Sequence, residues 1–355
     1  MEEHHRAHDP RRSLSRRSLL RGSTAGAVVM ALGASCGGGK SGGGAAPAAR
    51  GTATPVAKKL ATVRLGYQTN IWGMPLLVAI QSGAFKKYNV PIDAIQVSSG
   101  NKTRDLMVAG QADMGTFAAP AFIIGVDKGQ LQAVGIVAYV PKTLAVVARK
   151  GITSVEELRG KKLALTQGTS ASIILQNNIL PTFNLNKADY QAVNLEPENM
   201  TAALAQGSID AMDNVEPYNA VAVAQGIGAR LLDYEKYDLL PVLLCVRPEF
   251  AKSNPDTVTG IMAGMLATQN LFKSQPAQAS DLINKYYTGQ GFKLDPKIMQ
   301  DIIPRLDVEV DLTPKLKDYL QSTAESQLKL GQIAAIPNWD VALPRQYLDQ
   351  AGSMR

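Results

Sequence analysis

Imidazole is the side chain that most often does acid–base or metal chemistry near neutral pH, and its placement here is lopsided. His4, His5 and His8 are the only histidines, so residues 61–355 contain none. That excludes imidazole general bases, Ser-His-Asp and Cys-His nucleophile systems, and His-ligated metals from the body of the chain. Of the two cysteines, Cys36 lies near the start and Cys245 sits in the apolar run 239–246 (LLPVLLCV). That run reads as a buried strand, in which a thiol behaves as a small hydrophobe rather than a nucleophile. With Cys36 engaged elsewhere, no internal disulfide is possible. Neutral hydrogen-bonding groups remain, better suited to holding a small molecule than to transforming it. Neither an enzyme nor a metal nor a cofactor is expected.

Charge is as unevenly spread. The 355 residues hold 37 Lys+Arg and 30 Asp+Glu, a net +7. Residues 1–35 carry +3, with six Arg against Glu2, Glu3 and Asp9, and residues 36–60 add +4 from Lys40, Arg50, Lys58 and Lys59. The remainder, 61–355, is neutral with 27 residues of each sign. It lacks the basic face that nucleic acid requires, so no nucleic-acid partner is expected. An apolar fraction of 45% is ample for one large domain or two ordinary ones.

The basic start reads as an export signal. Ser15-Arg16-Arg17-Ser18-Leu19-Leu20-Arg21 precedes a weakly apolar stretch, residues 22–32. The stretch is shorter than the roughly 20 apolar residues of a membrane span. A positive segment before a short apolar one is the pattern of a removable signal, and the paired arginines resemble a twin-arginine export signal. Leu32-Gly33-Ala34-Ser35-Cys36 resembles a lipoprotein cleavage box, in which the Cys36 thiol would carry a diacylglyceryl group. Residues 37–57 (GGGKSGGGAAPAARGTATPVA) have no core-forming periodicity and read as a tether. Some twenty such residues span on the order of 25 Å. The expected layout is a signal peptide over 1–35, a tether over 36–60, and an extracytoplasmic, membrane-anchored body.

The body repeats one pattern. Gly110-Gln111-Ala112-Asp113 is followed by Pro120 and Gly129; 97 residues later, Gly207-Ser208-Ile209-Asp210 is followed by Pro217 and Gly226 at the same spacings. Upstream, Leu65 precedes Asp113 by 48 residues and Leu163 precedes Asp210 by 47. This period is too long for a solenoid and marks a domain duplication. Strands alternating with helices argue for parallel α/β sheets covered on both faces. Runs at 133–140 and 144–149 read as strands crossing from the first lobe to the second, and 231–233 with 239–246 as the return. Lobe 1 is expected over 61–149 plus 241–355 and lobe 2 over 150–240. Four helices, each with Pro near its start, are predicted at 255–273, 276–287, 296–303 and 314–330, packing on lobe 1. Asp113 and Asp210 read as structural turn residues.

Four segments in order carry a family likeness: 65–82 (LGYQTNIWGMPLLVAIQS), 110–120 (GQADMGTFAAP), 154–168 (SVEELRGKKLALTQG) and 208–217 (SIDAMDNVEP). They resemble the nitrate/sulfonate/taurine-type substrate-binding proteins of ABC importers, a group that also resembles the thiamine-pyrimidine-precursor proteins. The likeness runs over about residues 61–290. It implies a type II periplasmic-binding-protein-like α/β fold, two lobes joined by hinge strands with a cleft between. It also implies a small-molecule ligand, a monomer, and an ABC permease and ATPase complex as partner.

The resemblance places ligand loops at several points. Gln68, Thr69 and Asn70 offer hydrogen bonds and Trp72 a flat wall, or else they cap the loop and fill the core. Thr116 and Phe117 face the ligand or serve the next helix. Gly168, Thr169 and Ser170 open a helix and suit an oxyanion, or are plain caps. Asp213, Asn214 and Glu216 precede Pro217. Glu216 either caps the next helix or faces the cleft, where it would prefer a cationic or hydrogen-donating end. The family usually has aromatic residues near Met212 and Val215, and neither is aromatic here. With no Lys or Arg in these loops, recognition falls to backbone N–H groups and hydroxyls, or the ligand is neutral overall. A heteroaromatic ligand, a thiamine pyrimidine precursor or a flavin, is the alternative, stacked by Trp72, Phe117 and Tyr139. A pyrimidine-synthase-like enzyme of this fold would need His and a Cys-rich motif that the body lacks. A ligand-sensing lipoprotein would look the same in sequence.

Overall fold

The computed structural model describes residues 59–354, with 293 excepted. The export-signal and lipid-anchor expectations, Cys36 included, therefore lie outside the described residues. Among those described, no helix is long and apolar enough to cross a membrane.

Two five-stranded sheets form the two lobes. The strands are β1 (Val63–Gln68), β2 (Ile92–Val97), β3 (Met114–Ala118), β4 (Gln132–Tyr139), β5 (Leu144–Arg149), β6 (Lys162–Leu165), β7 (Gln191–Asn194), β8 (Ala211–Val215), β9 (Gly228–Asp233) and β10 (Pro241–Val246). The first sheet has the order β2-β1-β3-β10-β4 and the second β7-β6-β8-β5-β9. The orders correspond position by position, as the duplicated sequence requires. Neither sheet is wholly parallel: β10 runs antiparallel to β3 and β4, and β5 antiparallel to β8 and β9. Each of these two strands has arrived from the other lobe. The expected lobe boundary at 149/150 therefore moves. The sheet changes between β4 and β5, because β5 pairs with β8 from Leu144 onward.

The repeated aspartates hold the two sheets in the same way. Asp113 Oδ2 accepts the Arg64 backbone N–H at 3.0 Å, its own N–H donates to Arg64 O, and Arg247 N donates to Asp113 O. In lobe 2, Asp210 Oδ2 accepts Lys162 N–H at 2.8 Å, its N–H donates to Lys162 O, and Arg149 N donates to Asp210 O. Each aspartate thus joins the strand it precedes to one parallel and one antiparallel neighbour. Each also pairs with an arginine: Asp113 Oδ1 with Arg64 at 2.6 Å and Arg247 at 3.4 Å, Asp210 Oδ1 with Arg149 at 2.7 Å.

Helices cover the sheets and start where the sequence signals them. Ser99 caps Gly100–Val108 and Thr313 caps Pro314–Lys329, each accepting a backbone N–H. The helix Gly100–Val108 lies very close to the first sheet: a Cβ on Gly115 would sit 2.3 Å from Thr103 Cγ2, and one on Gly100 would sit 2.8 Å from Phe117 Cβ. Glycine at both places lets the start of this helix reach the sheet's edge. The C-terminal helices do not all pack on lobe 1. Pro255–Ser274 packs on Met74–Gln81 of lobe 1, whereas Pro296–Ile302 packs on Tyr218–Ala224 of lobe 2, and Phe292 meets Tyr218 edge-on with centroids 5.5 Å apart.

Burial pushes the Asp113 carboxyl up, but the hydrogen bonds and charge of Arg64 and Arg247 outweigh this and hold it below the ordinary 3.8. Its stabilising contribution is therefore present above that value and is lost as pH falls through the depressed one. Asp113→Asn is expected to lower unfolding free energy near pH 7 by about 1–3 kcal/mol, read by urea denaturation, with the gap closing in acid.

Candidate functional site

The carboxyl ends of β1, β3, β6 and β8 face one another across the lobes and line a cavity of about 60 Å³ that is partly open to solvent. Lobe 1 lines it with Gln68 at the end of β1, Asn70 and Trp72 in the following loop, Ser98, Ser99, Gly100 and Asn101 after β2, and Ala118 and Ala121 after β3. Lobe 2 answers with Thr166, Thr169, Ser170 and Ala171 after β6, Pro197 after β7, Asp213, Asn214 and Val215 of β8, and Leu144 of β5.

The lobe 1 side is tied to the crossing between lobes. Asn70 Oδ1 accepts Trp72 N–H at 3.0 Å, fixing the loop, and Gln68 Nε2 donates to Thr116 O at 3.3 Å. The indole N–H of Trp72 donates to Thr143 Oγ1 at 2.8 Å. Thr143 lies between β4 and β5, so Trp72 spends its polar handle on the hinge and offers the cavity its ring. The two lobes also meet directly. Asn101 Nδ2 donates to Gly168 O at 2.6 Å, and Lys102 Nζ lies 3.7 Å from Glu196 Oε1. These contacts bridge the cleft.

Several residues expected in the site lie elsewhere. Thr69, Thr116, Phe117, Gly168 and Glu216 are not among the cavity's lining residues. Strand alternation turns Phe117 away from the cleft into the core behind the first sheet, where it is fully buried with Phe122 and Leu316. Thr116 is also fully buried, its Oγ1 without a partner. Gly168, at φ +74°, supplies the carbonyl that Asn101 reaches. Glu216 has no exposed surface and is held by three donors: Arg230 at 2.5 Å, Arg305 at 2.7 Å and the Ala220 backbone N–H at 2.8 Å. It caps the next helix and pins the C-terminal segment to lobe 2. Thr169 lines the cavity and also caps its helix, accepting Ser172 N–H. Ser98, Ser99 and Asn101 were not singled out from sequence, although a Ser-Ser-Gly turn between a strand and a helix marks the carboxyl edge of a parallel sheet. Thr166 and Pro197 carried no such signal.

No Lys, Arg or His lines the cavity, and Asp213 is its only ionisable side chain apart from neutral hydroxyls. Three helices of nine or more residues begin at its wall: Gly100–Val108, Ala119–Gly129 and Pro197–Ala205. Their free N–H groups and dipoles give that wall a partial positive character. Asp213 accepts the Tyr234 hydroxyl on Oδ1 at 2.8 Å. Burial raises its pKa from 3.8 to about 7, only partly countered by that bond.

Residues 56–285 match the model of the NMT1-like family, and the chain belongs to that family. The Escherichia coli protein named "Putative aliphatic sulfonates-binding protein" is 28% identical over 229 residues, 63% of this chain and 70% of that one. Among solved structures, the alkanesulfonate-binding protein of Xanthomonas axonopodis pv. citri bound to MOPS is similar with a TM-score of 0.70 at 21% identity, covering 81% of this chain and 99% of that one. The periplasmic nitrate-binding protein of Synechocystis PCC 6803 is similar with a TM-score of 0.66 at 14% identity, covering 83% of this chain and 89% of that one. The fold is the two-lobed α/β fold of periplasmic binding proteins, as the sequence led us to expect, and each of these relatives is named as a binding protein.

An acid whose pKa is raised on folding favours the native state fully below its unfolded value, and that advantage is lost as pH rises to the folded value. For Asp213 the window runs from 3.8 to about 7, and the cost above it is on the order of 4 kcal/mol. Asp213→Asn removes the titration. Urea denaturation at pH 4 and pH 8 should show the variant gaining on the wild-type protein at the higher pH.

Proposed function

We propose that this protein is the solute-binding component of an ABC import system. It captures a small organic or inorganic anion of the sulfonate, taurine or nitrate kind between its lobes and delivers it to a permease and its ATPase. The observation that carries this reading is the interlobe cavity, walled by three helix N-termini and neutral hydrogen-bonding side chains. Such a wall suits an oxygen-rich anion without needing a cationic side chain. The names of the sulfonate- and nitrate-binding relatives point the same way. Size supports it too: at about 10–15 Å³ for each water, a cavity of about 60 Å³ holds about four to six waters, room for a solute of few non-hydrogen atoms. A flavin would need the cleft to open. A heteroaromatic ligand has less support, since Trp72 lines the cavity while Phe117 and Tyr139 do not.

Closure follows if the ligand touches both lobes and so binds the closed state better than the open one. We place the protein outside the cytoplasm, exported by the twin-arginine-like leader and held to the membrane by lipid on Cys36, with 37–57 as tether. The support here is the sequence pattern around Arg16, Arg17 and Cys36.

Thermal-shift screening of the full chain against sulfonates, nitrate, bicarbonate, pyrimidines and flavins should give stabilisation by one class. A ligand at a hundred times its Kd adds about 2.7 kcal/mol. Silence towards every class, or turnover of one, would overturn the transport reading. For the anchor, Cys36→Ala should move the protein from the membrane fraction to the soluble fraction of its native host; continued membrane association would refute lipidation.

A further inference from the structure

Asp213 is out of place in a cavity meant for a bare anion. It lies on β8, is 4% exposed, and lines the cavity. Tyr234 satisfies Oδ1, but Oδ2 is buried with no hydrogen-bond partner. No protein donor reaches it. The neighbouring Asn214 spends Nδ2 on Pro197 O at 2.9 Å and Oδ1 on its own chain at Val215 N. Tyr190, the other phenol near Asp213, accepts Gln176 Nε2 at 3.1 Å and makes no hydrogen bond to the carboxylate. No Lys, Arg or His lines the cavity. A buried acceptor is ordinarily paired, and one left open beside a binding cavity is a place for a ligand's donor.

The cavity therefore has two opposite poles. The helix N-termini of Gly100–Val108, Ala119–Gly129 and Pro197–Ala205 form a donor side, and the Asp213 carboxyl forms an acceptor side. Nitrate or a simple alkanesulfonate brings only acceptors, so it would leave Oδ2 unpaired and set negative charge near a carboxyl. A compact molecule bearing an ammonium or amino group a few bonds from its acidic group would satisfy both poles.

We infer that Asp213 selects for an N–H donor on the ligand, so that the solute is a small amino-bearing oxyanion and bare oxyanions are discriminated against. This rests on the reading of the cleft as a solute site. It sharpens that reading by naming the residue that separates members of the sulfonate and nitrate class.

The test is calorimetric titration of the full chain with 2-aminoethanesulfonate, ethanesulfonate and nitrate near pH 7.5. The amino compound should bind at least about tenfold tighter than ethanesulfonate, a difference of about 1.4 kcal/mol. In Asp213→Asn that ratio should shrink to about threefold or less, chiefly through loss of affinity for the amino compound. Ethanesulfonate or nitrate binding as tightly as the amino compound would overturn the inference while leaving the solute-binding reading standing. So would an unchanged ratio in the variant. Binding of none of the three also overturns it, and the wider ligand screen then judges the solute-binding reading separately. Circular dichroism checks that the variant is folded; if it is not, the ratio in the wild-type protein decides alone.

Discussion

The cleft depends on an exchange of strands between the lobes. β5 leaves the first lobe and inserts between β8 and β9 of the second; β10 leaves the second and inserts between β3 and β4 of the first. Both inserted strands are almost entirely buried, with Arg149 at the end of β5 the exposed exception. Neither sheet can be completed without a strand supplied from the other side, so the lobes fold as one body. The chain must cross twice, through 140–143 and 234–240, and those crossings set the axis about which the lobes can rotate. They also aim the carboxyl ends of the parallel strands at each other. Relative motion of such lobes about a few connecting residues is the usual form of hinge closure.

Hinge and binding wall are not separate structures here. Trp72 lines the cavity and bonds Thr143 in the first crossing. Tyr234, at the start of the second crossing, bonds Asp213. Glu216 adds a third connection, because Arg305 reaches it from the C-terminal segment, which otherwise belongs largely to the first lobe. A change in what Asp213 or Trp72 touches is therefore felt where the lobes join. Under the proposed solute-binding role, that is how ligand contact would bear on an open–closed equilibrium.

Much of the fold was legible because it follows from local and periodic signals. The equal spacings of 48 and 47 residues from Leu65 to Asp113 and from Leu163 to Asp210 mark strands that pair, and Leu65 indeed lies opposite Met114, Leu163 opposite Ala211. Proline and cap residues located the C-terminal helices to within a few positions. Site residues were harder. Gln68, Asn70, Trp72, Thr169, Ser170, Asp213 and Asn214 line the cavity, yet Phe117, one residue from that edge, points into the core because strands alternate faces. Glu216 looked available to the cleft because its partners are distant: Arg230 lies 14 residues on and Arg305 lies 89.

By itself the sequence determined the chemistry that is absent and the architecture that repeats. A body with no histidine and balanced charge cannot run imidazole chemistry or present a basic face, whatever its fold, because composition is conserved on folding. Periodicity likewise fixes which segments are strands and that they come in two sets. Only the tertiary structure decided which carboxyl meets the cavity. Asp213, Glu216, Asp113 and Asp210 are one residue type or its homologue in similar surroundings of sequence. Three of them meet arginines brought near by the fold, and Asp213 meets a tyrosine and an open cavity. An acid's role is set by the charges and donors within a few ångströms of it, and that list is written by packing, not by the order of the chain.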